Sequence, residues 1–255
     1  MCHETAARPP LPPIAGGAGV GTTDGLLEAA DGNRFAAFTA LTDAPGAAAM
    51  VVLPDVRGLH PFYRALAVRL AEAGIHATVL DYFGRTAGTA PRGDDFDFMS
   101  HVEQTAPDTI AVDVAAAVAH VRTKEGGSAR SVFTMGFCFG GRKSFNQAAE
   151  GHGLAGVIGF YGRVAPADGT DTDAPLMLAS GYRSPVLGMF GGADAGIQAD
   201  TVRDFGRALD DAGVENELVT YDGAAHSFFD RTFDQHREAC DDAWRRVLAF
   251  VGRNG

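Results

Sequence analysis

Residues 131–142 read S-V-F-T-M-G-F-C-F-G-G-R, and this stretch decides the fold. Ser131–Phe137 is an apolar run of strand length with β-branched and aromatic members. A cysteine, Cys138, follows between Gly136 and Gly140, and Gly140–Glu150 then carries a helical pattern. A G-x-nucleophile-x-G stretch between a strand and a helix has the form of a tight elbow. Its glycines leave room where side chains would collide, and the central residue is presented in strained backbone geometry. The helix N-terminus favours negative charge on the Cys138 sulfur, and the backbone N–H of Phe139 is placed to meet a developing oxyanion. The competing reading is a buried structural cysteine, because free cysteines are among the most buried residues.

Outward from the elbow, strand and helix patterns alternate. Ala47–Leu53, Ile75–Leu80, Leu154–Phe160, Pro185–Phe190 and Glu217–Tyr221 read as buried strands. Helical spacing covers Pro61–Ala73, Thr105–Lys124, Ala199–Ala212 and Asp234–Val251. Gly25–Ala30 and Arg34–Leu41 flank Asp31-Gly32-Asn33, a hairpin signal. Near-continuous apolar strands alternating with helices predict a mostly parallel α/β sheet with an N-terminal antiparallel hairpin and helices on both faces. Residues 1–24, rich in Pro and Gly, read as an extended arm, and 25–255 as one domain.

Active residues of such sheets sit on loops at the carboxyl ends of strands. The loop after Pro185–Phe190 holds G-G-A-D with Asp194, and the loop after Glu217–Tyr221 holds D-G-A-A-H with His226. Nucleophile, acid and base therefore occur in the chain order Cys138, Asp194, His226, each just past a strand.

The chain has 255 residues, 46% of them hydrophobic, and a net charge of -11. It has no basic stripe, so nucleic acid is not an expected partner, and its apolar runs are too short to cross a bilayer. The N-terminus lacks the apolar core of a signal peptide, and the three cysteines, Cys2, Cys138 and Cys240, are odd in number and far apart. Free thiols and a cytoplasmic location are expected. Cys2-His3 has no C-x-x-C companion, and Asp94, Asp95 and Asp97 lack calcium-loop spacing, so no metal site is expected. With no exposed apolar helix face in evidence, a monomer is the expectation. Arg57 and His60 read as substrate contacts or solvated loop residues, Tyr82 and Phe83 as pocket wall or packing, and His101 as surface.

G-F-C-F-G-G, G-G-A-D and A-H-S-F-F together resemble the dienelactone hydrolase (carboxymethylenebutenolidase) family of α/β-hydrolases, over roughly residues 25–252. V-L-P-D-V-R-G-L-H from Val52, L-D-Y-F-G-R ending at Arg85 and G-F-Y-G around Tyr161 are similar to further family motifs. The resemblance implies a hydrolase without cofactor that opens a small lactone or ester by thiolate attack through an acyl-enzyme. It implies Cys138 as nucleophile, His226 as base, Asp194 as its orienting acid, and the Val56 and Phe139 N–H groups as oxyanion hole. Asp55 stands where the family has a glutamate, and Arg85 matches an arginine that receives the substrate carboxylate. A second such arginine is expected where Asp230 stands, with Arg231 one residue later. Two alternatives stay open: a carboxylesterase for neutral or bulkier esters on the same triad, and a non-catalytic binding or thiol-sensing scaffold.

Overall fold

The computed structural model describes residues 8–14, 17–93 and 95–255. Cys2, His3 and Asp94 lie outside them. Eight strands form one sheet: β1 (Val20–Glu28), β2 (Arg34–Thr42), β3 (Ala49–Leu53), β4 (His76–Leu80), β5 (Val132–Phe137), β6 (Gly156–Phe160), β7 (Val186–Gly191) and β8 (Asn216–Tyr221). The helices are α1 (Pro61–Glu72), α2 (Gly84–Ala87), α3 (Phe98–Val102), α4 (Pro107–Val121), α5 (Phe139–Asn146), α6 (Pro175–Leu178), α7 (Ala199–Asp211) and α8 (Arg237–Asn254). The sheet order is β1-β2-β4-β3-β5-β6-β7-β8. The β1–β2 and β2–β4 pairs are antiparallel and all others parallel, as the hairpin signal and the apolar runs predict.

Every residue of β3, β4, β5 and β6 is buried, so helices and loops cover both faces of the sheet centre. That is what continuous apolar strands require: an uncovered face would leave their Val, Ile and Phe side chains in water. The order in which successive parallel strands are laid down reverses at β3, which has β4 on one side and β5 on the other. The loops leaving β3 and β5 therefore diverge, opening a crevice at the carboxyl ends of these strands, where open α/β sheets bind ligands.

The first strand begins earlier than the Gly25 read from the sequence. β1 begins at Val20 and pairs with β2 from Val20↔Thr42 onward. Pro9, Pro10 and Pro12 are buried, and the Trp244 indole N–H of α8 donates to the Pro10 carbonyl at 3.1 Å. The described part of the arm is thus seated on the last helix.

Candidate active site

The elbow forms as its glycines demand. Cys138 is the N-cap of α5 and has φ 54° and ψ -114°, a conformation costing on the order of 1–3 kcal/mol for a residue with a Cβ. Its N–H donates to the Phe160 carbonyl at 3.0 Å, and its carbonyl accepts from the Arg142 N–H at 3.2 Å. A Cβ on Gly136 would lie 1.9 Å from the Gly140 carbonyl oxygen, and one on Gly140 would lie 2.1 Å from that of Pro54. No side chain fits either gap, so only glycine lets α5 leave β5 so abruptly and press against the end of β3.

Among the described residues, three of the four non-glycine residues with positive φ lie at or near this elbow: Cys138, Tyr161 (φ 39°) and Ser227 (φ 62°). Each follows or adjoins a proposed reacting group, a clustering of strain that marks functional sites. His226 precedes Ser227, and its Nδ1 lies 2.5 Å from Asp194 Oδ2. The Asp194 side chain is nearly buried, while that of His226 is one-third exposed. Asp194 also accepts from the Gly196 N–H at 2.9 Å through Oδ1, which fixes its carboxylate plane.

Cys138, Phe139, Tyr161 and His226 line one cavity of about 250 Å³. The Tyr161 ring lies 5.0 Å, centroid to centroid, from the His226 imidazole. Among the described residues, neither the Phe139 N–H nor the Val56 N–H has an acceptor, consistent with the unpaired first amides of a helix and with a tight turn after β3. A larger open cleft of about 680 Å³ lies between β8 and α8 beside Tyr221 and Arg246. Its lining contains no cysteine or serine and shares no residue with the cavity of Cys138.

Asp55 and Asp230 meet on one cation. Arg57 Nη2 bonds Asp55 Oδ2 at 2.7 Å, its Nε lies 3.0 Å from both Asp55 oxygens, and Nη2 also pairs with Asp230. All three side chains are at most 3% exposed. Burial would lower the Arg57 guanidinium, but its bond to Asp55 and the two carboxylate charges hold it well above its ordinary value. Arg57 is therefore neither a substrate contact nor solvated. It staples the loop after β3, which carries Val56, to the loop carrying His226. His60 caps α1, its Nδ1 accepting from the Phe62 N–H at 3.2 Å.

The two arginines read as carboxylate receptors, Arg85 and Arg231, do not line the cavity of Cys138. Arg85 lies in α2 and donates to Asp113 at 2.7 Å and to Asp31 at 2.5 Å; burial opposes its charge, but these bonds outweigh it and raise the guanidinium above its usual value. The Tyr82 hydroxyl donates to the Pro54 carbonyl at 3.0 Å, so Tyr82 packs beneath the site rather than lining it. His101 is half-buried and stacks on Phe96 at 4.8 Å. The cations that do line the cavity are Arg142 and Arg163. Arg142 stands four residues after Cys138 on one helix face, a spacing readable in the sequence. Arg163 follows Gly162 and has no comparable local signal.

A reversing, mostly parallel sheet with a strained residue at a strand-to-helix elbow, backed by an Asp–His pair on later strand ends, defines an α/β-hydrolase. The comparisons narrow this further: the chain belongs to the dienelactone hydrolase family, whose model matches residues 35–254. A carboxymethylenebutenolidase of Rhodococcus opacus is 26% identical over 99% of this chain and 97% of its own. A Klebsiella pneumoniae protein whose crystal structure is named putative dienelactone hydrolase superposes with a TM-score of 0.81 at 26% identity, over 92% of this chain and 99% of that one. The chain is thus a carboxymethylenebutenolidase-like hydrolase of esters or lactones. Among the described residues no helix is long and apolar enough to cross a membrane.

Proposed function

We propose that Cys138 opens a small ester or lactone as a thiolate, through an acyl-enzyme. The observation that carries this reading is one cavity lined by a strained elbow cysteine and by a histidine already bonded to an aspartate. The α5 N-terminus stabilises negative charge on the sulfur. Sγ adds to the carbonyl carbon, and the carbonyl electron pair moves onto oxygen, where the Phe139 and Val56 N–H groups receive it. The intermediate collapses to a thioester as the carbon–oxygen bond breaks, and His226, holding the thiol proton, delivers it to the leaving oxygen. With a lactone that oxygen stays tethered and the ring opens. His226 then takes a proton from water, the hydroxide attacks the thioester, and acid and thiol are released. Asp194 accepts from the Nδ1 side throughout, which keeps Nε2 turned to the reacting atoms.

The cavity of about 250 Å³ lies below the roughly 300–1,000 Å³ of drug-sized sites, which favours small substrates over bulky esters. The test is turnover of a dienelactone and of a neutral short-chain aryl ester by the wild type and by Cys138→Ala. Turnover lost in the variant, with a stoichiometric burst in the wild type, supports the acyl-enzyme. A variant as active as the wild type refutes it, and a folded wild type inert toward both compounds leaves the binding or thiol-sensing scaffold as the better account.

A further inference from the structure

We infer that Arg163 is the specificity-determining cation of this hydrolase, receiving a carboxylate on the acyl part of the substrate from a position that Arg85 does not reach. The inference rests on the thiolate reading above and names the kind of substrate that thiolate meets.

Two cations line the cavity, and their circumstances differ. Arg142 is already engaged: its Nη1 and Nη2 hold Asp171 at 2.9 and 2.5 Å, and Nη2 holds Asp173 at 2.6 Å. Burial opposes its charge, and these two carboxylates more than offset that. Arg163 is exposed and has no carboxylate or other hydrogen-bond partner among the described residues. Within the cavity lining it is the cation without a carboxylate, in a chain where 32 acidic residues outnumber 21 basic ones. The cavity lining itself includes two arginines and no carboxylate, since Asp194 stands behind His226.

The backbone under Arg163 is fixed. A Cβ on Gly162 would lie 2.5 Å from the Arg142 nitrogen, and one on Gly141 would lie 2.6 Å from the Phe160 carbonyl oxygen. The loop after β6 is therefore pressed directly onto the first turn of α5. Tyr161, two residues before Arg163, is buried and its N–H donates to the Met189 carbonyl at 2.7 Å. The arginine stem thus starts from a rigid point one residue past the glycine contact, and only its guanidinium is free to close on a ligand. An unpaired guanidinium with a fork of donors at the mouth of a small cavity selects planar anions. Arg85 is held by Asp31 and Asp113 instead, so the arginine matched by motif is spent on structure.

The probe is a matched pair of alkylating reagents, iodoacetate and iodoacetamide. In both, the Cys138 sulfur displaces iodide: an S–C bond forms, the C–I bond breaks and iodide leaves with the electron pair. The reagents differ in charge and little in size, so their rate ratio at Cys138, followed by peptide mass mapping, reads the local cation. The iodoacetamide rate alone reads thiolate reactivity. Arg163→Ala is expected to lower the iodoacetate rate about three- to fivefold while changing the iodoacetamide rate less than about 1.5-fold, the size expected of an exposed ion pair. Arg163→Lys recovers part of the preference. Arg85→Ala leaves the ratio unchanged. Kinetics with 4-nitrophenyl hemisuccinate against 4-nitrophenyl butyrate should show the same split, with the Arg163→Ala loss concentrated in KM for the anionic ester. An unchanged reagent ratio in Arg163→Ala, or a ratio that collapses in Arg85→Ala, overturns the inference while leaving the thiolate intact. A Cys138 that reacts with neither reagent in folded protein overturns the thiolate reading, and this inference falls with it.

Discussion

Replacing Arg57 by Met tests whether the buried cluster holds the site together. Methionine roughly preserves the stem that lies against Phe62 and Tyr63, whose ring centroids are each 5.8 Å from the guanidinium carbon. It removes the charge and leaves Asp55 and Asp230 facing each other at 2% exposure. Breaking a buried pair by deleting one partner costs about 3–5 kcal/mol, because the remaining charge is desolvated without compensation. Here two buried carboxylates lose their shared cation, so the upper part of that range applies. A domain of this size loses about 2–4 °C of melting temperature per kcal/mol, so the expected drop is about 8–20 °C by circular dichroism. Adding Asp55→Asn and Asp230→Asn to Arg57→Met removes both stranded charges and should restore about half of the loss. Turnover should fall further than stability, because Asp55 and Arg57 flank the Val56 amide and Asp230 lies four residues past His226. A drop equivalent to less than about 1 kcal/mol, the usual worth of an exposed pair, would refute the reasoning, as would a triple variant no more stable than the single one.

Other outcomes follow from individual groups. Burial, with the nearby Asp241 and Asp234 charges, pushes the Cys240 thiol up to about 12. At pH 7.5 less than about one part in 10,000 is thiolate, so iodoacetamide should label Cys138 and spare Cys240 until denaturant is added; equal labelling in native protein would contradict this. Burial raises the Glu217 carboxyl, but hydrogen bonds from Arg246 and Arg253 outweigh it and hold it below the ordinary value of 4.5. Its stabilisation is thus fully present above that value and is lost as the pH falls through the lowered native one. Glu217→Gln should therefore shift the urea midpoint at pH 7 and converge with the wild type near pH 3, and a constant gap would sink the assignment. Gly140→Ala puts a Cβ against the Pro54 and Leu53 carbonyl oxygens, at 2.1 and 2.2 Å. Overpacking of this kind costs typically about 1–3 kcal/mol, and the displaced elbow should lower kcat more than it raises KM; unchanged kinetics would show that the elbow tolerates a Cβ.

The parts of the molecule that could be read in advance are those decided by neighbours in sequence. The elbow is local: Gly136, Cys138 and Gly140 determine their own turn, and the strand and helix on either side are set by short patterns. That Asp194 and His226 would meet was legible for a related reason, since each lies on the first loop after a strand and parallel strands bring those loops to one edge. β1 was read short because its residues are mostly exposed, so the outer five positions from Val20 carry little apolar signal. The Pro-rich arm gave no sign that Trp244, 234 residues from Pro10, would hold it.

The arginines were illegible, and the physical reason is their reach. A guanidinium on a flexible stem settles on whichever carboxylate the finished fold brings near, and sequence distance does not limit that choice. Arg57 is claimed by Asp230, 173 residues away, and Arg85 by Asp113 and Asp31, 28 and 54 residues away. Motif position placed Arg85 at a carboxylate subsite, yet its donors are satisfied inside the protein. In an acidic chain such capture is common, because carboxylates outnumber cations. The telling cation is therefore one the fold holds at the cavity without pairing it. Arg163 meets that condition: it lines the cavity, Gly162 holds its backbone against α5, and among the described residues it pairs with no carboxylate.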